Sequence, residues 1–257
     1  MGLGTVKIGR NQQVKYPAGF EIPDDRAVAS LLASAAELGI NLLDTAPAYG
    51  NSEERLGKLL GERDRWVLCT KTGEEFINGV SHFDFSARHT RMSVERSLKR
   101  LGTDWLDLVL IHSDGRDLDI LQRSDCLSTL MELKAAGTIR AIGMSTKTIE
   151  GGILAAELLD VVMLTWNLQQ RDEAVLDAAL RLNTGVLVKK GLLSGHVHSS
   201  GDSNSGGNTV RASMELVLRE PGVGSMIVGT INPAHLRSNV ENAERSRPMS
   251  GSEKFTP

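Results

Sequence analysis

Four side chains in this sequence have the types and placement for proton chemistry. The stretch "NLLDTAPAYGNSEERLG", residues 41–57, is an apolar run closed by Asp44, with Tyr49 five residues later in a turn. Two further apolar runs end on a polar group: "VLCTK" closes on Lys71 and "LVLIH" on His112. Singly, each has a plain structural reading. Asp44 can cap a turn, Lys71 can reach solvent, and His112 can be a satisfied rim histidine. Together they are an acid, a base, an imidazole and a phenol, a set suited to protonating a carbonyl oxygen. A phenol titrates near pH 10, so Tyr49 can donate at neutral pH. A buried Lys71 would favour the phenolate and lower that value, and Asp44 would supply the counter-charge Lys71 needs. His112 would orient the carbonyl oxygen by donating a hydrogen bond. None of the four can supply a reducing equivalent, so a cofactor is implied.

These residues can meet only if the runs that carry them are neighbouring strands. Eight short apolar runs recur: "LGTVKI" (3–8), "NLLDTA" (41–46), "WVLCTK" (66–71), "WLDLVLIH" (105–112), "IRAIGMS" (139–145), "DVVMLTWN" (160–167), "GVLVKK" (185–190) and "SMIVGT" (225–230). Segments with helical spacing lie between them, such as "DDRAVASLLASAAELG", where Val28, Leu31, Leu32, Ala35 and Leu38 form one stripe and Gly39 ends the helix. Others are "SARHTRMSVERSLKRLG", "SDCLSTLMELKAAG", "DEAVLDAALRLN", "NTVRASMELVLRE" and "PAHLRSNVENA". Strands apolar on both faces and too far apart for hairpins pair in parallel through helical crossovers. The pattern predicts one α/β domain over 1–257, a (β/α)8 TIM barrel, with an open doubly wound sheet as the alternative. In a barrel the chemistry belongs at the C-terminal ends of the strands, where Asp44, Lys71 and His112 fall.

A net charge of -3 over 257 residues gives no global basic field, so neither nucleic acid nor an anionic membrane is an expected partner. No apolar segment approaches the length of a membrane-spanning helix, and no signal peptide is read. Cys69 and Cys126 have no metal or redox spacing, and a reduced, cytoplasmic protein, monomeric by default, is expected. Cys69, inside an apolar run, reads as a core residue. The stretch "HVHSSGDSNSGGNTV", residues 196–210, reads as a loop after the seventh strand. Its His196 and His198 lack a nearby carboxylate or Cys, so no metal site is expected. The segment 73–86 reads as a loop after the third strand. Its Phe76, Phe83 and Phe85 form an apolar wall over the site on one reading and pin the loop to the barrel on the other.

The sequence resembles the aldo-keto reductase superfamily from "GLGTVKIG" to "IVGTINPAHLRSNVENA", most specifically in "DTAPAYGNSE", in the lysine and histidine closing strands three and four, and in "IRAIGMS". No GxGxxG follows the first strand, consistent with a family that binds a nicotinamide cofactor without a Rossmann fold. The resemblance implies that Asp44, Tyr49, Lys71 and His112 are a catalytic tetrad with Tyr49 as general acid. It implies NADPH as cofactor, with NADH left open, and a small-molecule carbonyl or sugar substrate. Thr5, Ser145, Asn167 and Lys189 fall in the implied nicotinamide pocket, and Leu193 and Ser194 in the loop meeting the pyrophosphate. Gly229, Thr230, Asn232, His235 and Asn239 fall where the family holds the adenosine and its 2′-phosphate, near a helix start suited to anions.

Several positions depart from the pattern. Thr146 stands where many members have Asn, and Met163 where many have a Gln that binds the carboxamide. Lys189 falls near the usual site of an aromatic that stacks on the nicotinamide. Trp166 could replace that stack, but strand alternation puts Met163, Thr165 and Asn167 on one face and Trp166 on the other, so Trp166 is expected to pack. Gly229 and His235 stand where Lys and Arg are common, which weakens the case for a 2′-phosphate. The chain opens almost on the first strand, and the family's short N-terminal hairpin is expected to be absent or trimmed. The leading expectation is a reductase, which run backwards would oxidise a sugar or alcohol. The rivals are a non-catalytic nicotinamide-binding regulator, like the potassium-channel β-subunits, and an unrelated metal-dependent barrel hydrolase.

Overall fold

The computed structural model describes residues 1–198 and 203–246. Eight parallel strands close into a barrel in the order β1-β10-β9-β8-β7-β6-β3-β2, and a separate antiparallel pair, β4 and β5, stands outside it. The barrel strands are β1 (Gly2–Gly4), β2 (Leu42–Asp44), β3 (Val67–Thr72), β6 (Leu106–His112), β7 (Ile139–Ser145), β8 (Val161–Thr165), β9 (Gly185–Lys189) and β10 (Val223–Val228). All eight expected runs form strands. The first is shorter than expected, because Val6–Gly9 coil into the short helix α1 and the strand ends at Gly4.

Alternation along the strands sorts the core. One parity points inward, where Cys69, Leu108, Leu110, Met163 and Leu187 form a small apolar cluster inside the barrel. The other parity points outward into the larger core under the helices, with Leu43, Val109, Ile111, Met144 and Val188. Trp166 belongs to this outer core, and Cys69 is fully buried in the inner one. Moving up each strand, the inward positions change from apolar to polar. Asp44, Lys71, His112, Ser145, Thr165 and Lys189 are the last inward residues of their strands, so barrel geometry collects them at one mouth.

The outer layer includes α2 (Asp25–Glu37), α3 (Ser52–Leu59), α4 (Ala87–Leu101), α5 (Asp117–Arg123), α6 (Cys126–Ala135), α7 (Ile149–Leu158), α8 (Glu173–Leu182), α9 (Ser203–Leu218) and α10 (Pro233–Ser246). Their ends follow local chemistry: Asp24, Ser86 and Thr148 accept the backbone N–H three residues on, and Gly102 ends α4 in the left-handed conformation. Helix α9 begins at Ser203, within the stretch expected as loop, and residues 193–198 form a short 3-10 turn. Of the His196–His198 pair, His196 is exposed and the side chain of His198 lies outside the described residues. No cluster of three or more metal-ligating side chains occurs among the described residues, and no helix there is long and apolar enough to cross a membrane.

The segment expected as a loop after β3 is a hairpin of β4 (Glu74–Ile77) and β5 (Val80–Phe83), turned by Asn78 and Gly79, both with positive φ. Phe85 pins it, lying so close over Gly73 that a Cβ there would collide with the ring. Phe76 carries the Arg10 guanidinium 3.4 Å above its ring, and Phe83 is the member of the three that lines the cavity at the barrel mouth.

Candidate functional site

A cavity of about 1090 Å³ opens at the C-terminal mouth of the barrel. Its floor carries Asp44, Tyr49, Lys71 and His112, so the four residues singled out in the sequence do meet. Lys71 is buried at the end of β3, and its Nζ donates to Asp44 Oδ1 at 2.6 Å and to the Thr45 carbonyl at 2.8 Å. Burial works against that ammonium, but Asp44, Tyr49 and Cys69 together outweigh it and hold Lys71 above the usual lysine range. Tyr49 is fixed by its loop: a Cβ on Gly9 would collide with the Tyr49 and Ser52 backbone, so α1 and this loop approach only because Gly9 has none. The Lys71 ammonium lies 4.8 Å from the Tyr49 ring centroid, and the His112 ring stands edge-on to Tyr49 at 6.2 Å. Burial pushes the Tyr49 phenol up to about 12, and the pull of Lys71 is the smaller effect. The expected lowering is therefore reversed, and Tyr49 holds its proton through neutral pH.

Glu74 completes the floor and was missed from sequence, where "GEEF" read as loop. Its Oε2 lies 2.8 Å from His112 Nδ1, a close contact out of line for a full hydrogen bond, and its Oε1 accepts from Ser81 Oγ at 2.6 Å. Burial opposes ionisation of Glu74, but His112, Ser81 and Arg10 together bring it down to about 2. Burial also lowers the His112 pKa, with Glu74 opposing and Lys71 and Lys189 assisting. A carboxylate facing Nδ1 assigns the proton to that nitrogen. Neutral His112 then has only an acceptor at Nε2; it becomes a donor there on protonation.

Of the other expected residues, Ser145, Lys189, Ser194, Gly229, Thr230, His235 and Asn239 line the cavity. Thr5, Asn167, Leu193 and Asn232 are not among its lining residues. Thr5 Oγ1 donates to the Asp44 carbonyl at 2.9 Å and accepts from Ser52, locking β1 to β2 beneath the site. Asn167 Oδ1 accepts from the N–H groups of Gln169 and Gln170, holding the turn after β8. Leu193 packs on the outer core, and Asn232 Oδ1 accepts from Ala234 N, capping α10.

The cavity suits an anionic ligand. Seven lysine and arginine side chains line it (Lys7, Arg10, Lys15, Lys71, Lys147, Lys189 and Lys190) against two carboxylates, Asp44 and Glu74, in a chain of net charge -3. Lys190, Leu193 and Ser194 hold left-handed backbone, strain of the kind stored where a chain faces a ligand.

A model of the aldo/keto reductase family matches residues 1–213. The chain belongs to that family. Members are oxidoreductases that use nicotinamide cofactors. Aldo-keto reductase YhdN of Bacillus subtilis is 35% identical over 188 residues, 70% of this chain and 54% of that protein. D-arabinose 1-dehydrogenase of Saccharomyces cerevisiae is 32% identical over 179 residues, 62% of this chain and 51% of that protein. The chain thus spans about half the length of these two curated relatives. A solved structure from Pseudomonas aeruginosa, provisionally classed as an aldo-keto reductase, is 53% identical with a TM-score of 0.85, over 95% of this chain and 89% of that one.

Proposed function

We propose that this protein is a nicotinamide-dependent oxidoreductase that interconverts a small carbonyl compound and its alcohol, with Tyr49 moving the proton. The observation that carries this reading is the floor itself: a protonated phenol beside a lysine whose charge is secured by Asp44, with an imidazole edge-on to it. When bound, the cofactor supplies the hydride that no side chain here can. Tyr49 donates to the carbonyl oxygen in reduction and takes the proton back in oxidation. Lys71 stabilises the phenolate left after donation, and Asp44 keeps Lys71 charged while it is buried. His112 accepts at Nε2 from a substrate hydroxyl when neutral and donates to a carbonyl when protonated; Glu74 keeps a proton on Nδ1 in both states and favours the protonated one against burial.

Ser145 and Lys189 would hold the nicotinamide, the left-handed run through Ser194 the pyrophosphate, and Thr230, His235 and Asn239 the adenosine end. The lining lysines favour the more highly charged NADPH, while the absence of an Arg at His235 leaves NADH a working alternative. The relative named for D-arabinose points to sugars, as aldehydes or hemiacetals, as the first substrates to try.

The test is consumption of NADPH, with NADH in parallel, against an aldose and a reactive aromatic aldehyde. Turnover beyond one equivalent of enzyme supports the reading. Saturable nucleotide binding without turnover across a panel of carbonyls and sugars in both directions would sink it and favour a nucleotide-binding regulator.

A further inference from the structure

One lysine on the cavity floor makes no direct ion pair among the described residues. Lys71 has Asp44, and Arg10 feels Glu74. Lys189 instead reaches from the end of β9 across β8 to the end of β7, where its Nζ donates to Ser145 Oγ at 2.9 Å and to the Thr146 carbonyl. Both acceptors are neutral, and Lys189 forms no ion pair among the described residues. Tyr49 and His112 occupy the β2 to β6 side of the floor. A hydride-transferring ring that shares the floor with them is left the β7 to β9 side, built from Ser145, Met163 and Lys189.

We infer that Lys189 discriminates between the redox states of the cofactor: its ammonium makes the site bind the reduced, uncharged nicotinamide more tightly than the oxidised, cationic one. The inference rests on the nicotinamide reading above. Two like charges at a partly buried cavity floor repel more than in bulk solvent. The phosphates are common to both redox forms and cancel from the comparison, so the ratio of the two affinities isolates the charge of the ring. The consequence is an enzyme whose bound cofactor is poised toward its reduced form, a poise that favours oxidation of a hydroxyl.

The discrimination should depend on pH. Burial first, and then Lys190, push Lys189 down to about 7, with Lys147 acting in the same direction and Asp172 and Asp117 opposing. Across the floor, His112 of β6 faces the same group. Below pH 7 Lys189 is charged and repels the oxidised ring; above it the amine is neutral and the repulsion fades.

The experiment is a pair of equilibrium titrations without turnover: NADPH by fluorescence and NADP+ by displacement, with NADH and NAD+ alongside, at pH 6 and pH 9. Wild type is compared with Lys189→Met and Lys189→Arg. The expected ratio of NADP+ to NADPH dissociation constants in wild type is about 10-fold higher at pH 6 than in Lys189→Met, from one uncompensated charge nearby. It should converge on the Lys189→Met value at pH 9, while Lys189→Arg keeps the high ratio at both pH values. Any pH dependence left in Lys189→Met belongs to the other titrating groups of the cavity, His112 and Lys190. Equal ratios in wild type and Lys189→Met at pH 6 overturn the inference. If Lys189→Met does not fold, a wild-type ratio that fails to fall between pH 6 and pH 9 overturns it alone. If no nicotinamide nucleotide binds wild type, the nicotinamide reading has failed, a different result from binding without discrimination.

Discussion

Lys71 and Lys189 occupy equivalent places, the last inward residue of a barrel strand, at one cavity floor, and the fold treats them oppositely. Lys71 faces a carboxylate at 2.6 Å and stays charged despite burial. Lys189 faces a hydroxyl and a carbonyl, and burial brings it down to about 7. The surroundings, not the residue type, decide whether a lysine on the cavity floor is a fixed charge or one that answers to ligand and pH. A fixed charge suits the support of a proton donor, and a responsive one suits the sensing of a cofactor's charge.

The most disruptive way to break this contrast is Asp44→Asn, which leaves Lys71 as uncompensated as Lys189. Loss of one partner of a buried pair costs about 3–5 kcal/mol, measurable by denaturant unfolding. In wild type, Lys71 is raised above its unfolded value, so its contribution is complete below about pH 10 and lost above it. In the variant Lys71 becomes a depressed lysine, and the penalty should shrink as pH rises toward 10. A variant as stable as wild type at neutral pH would show that Asp44 does not hold the charge.

A smaller effect is expected for Glu74→Gln. The carboxylate raises the His112 pKa against burial, so removing it lowers that pKa further. Reductive kcat/KM at pH 6 should fall by about 10-fold, within the reach of general-acid catalysis, and the acid-side rise should move to lower pH with nucleotide binding unchanged. An unmoved pH profile would mean that Glu74 does not act through His112. The subtlest change, Ser145→Asp, gives Lys189 the carboxylate it lacks. The pair is then neutral, and the preference for reduced over oxidised nucleotide at pH 6 should drop by several-fold, toward the level of Lys189→Met; a retained preference would place its origin elsewhere.

The barrel and its floor were legible because both rest on local rules. Strands apolar on both faces, separated by amphipathic helices, specify parallel pairing, and a polar residue at the end of each strand specifies the mouth. The hairpin carrying Glu74 had its own signal: "NG" at Asn78 and Gly79 is a strong two-residue turn. Phe76, Phe83 and Phe85 around it fit an apolar loop wall as readily as strand positions, which masks the hairpin. Helix α7 was hidden by Gly151 and Gly152, which weaken a helix pattern. They are there because Asp117 and Val175 pack where a Cβ would stand. The rise in Tyr49 could not be read from sequence, since Lys71 and burial pull in opposite directions and only the packed site shows which prevails. Lys189 was visible as a departure from a stacking aromatic, but its neutral partners come from β7, and that crossing needs three dimensions.

The most direct measurement is the rate of nicotinamide oxidation by Tyr49→Phe against wild type, at saturating aldehyde and equal nucleotide occupancy. If Tyr49 is the proton donor, the rate falls by about 100-fold or more while the nucleotide dissociation constant stays within about 2-fold, as expected for loss of a general acid. A variant that turns over at the wild-type rate would contradict the account and move the proton to another group on the floor.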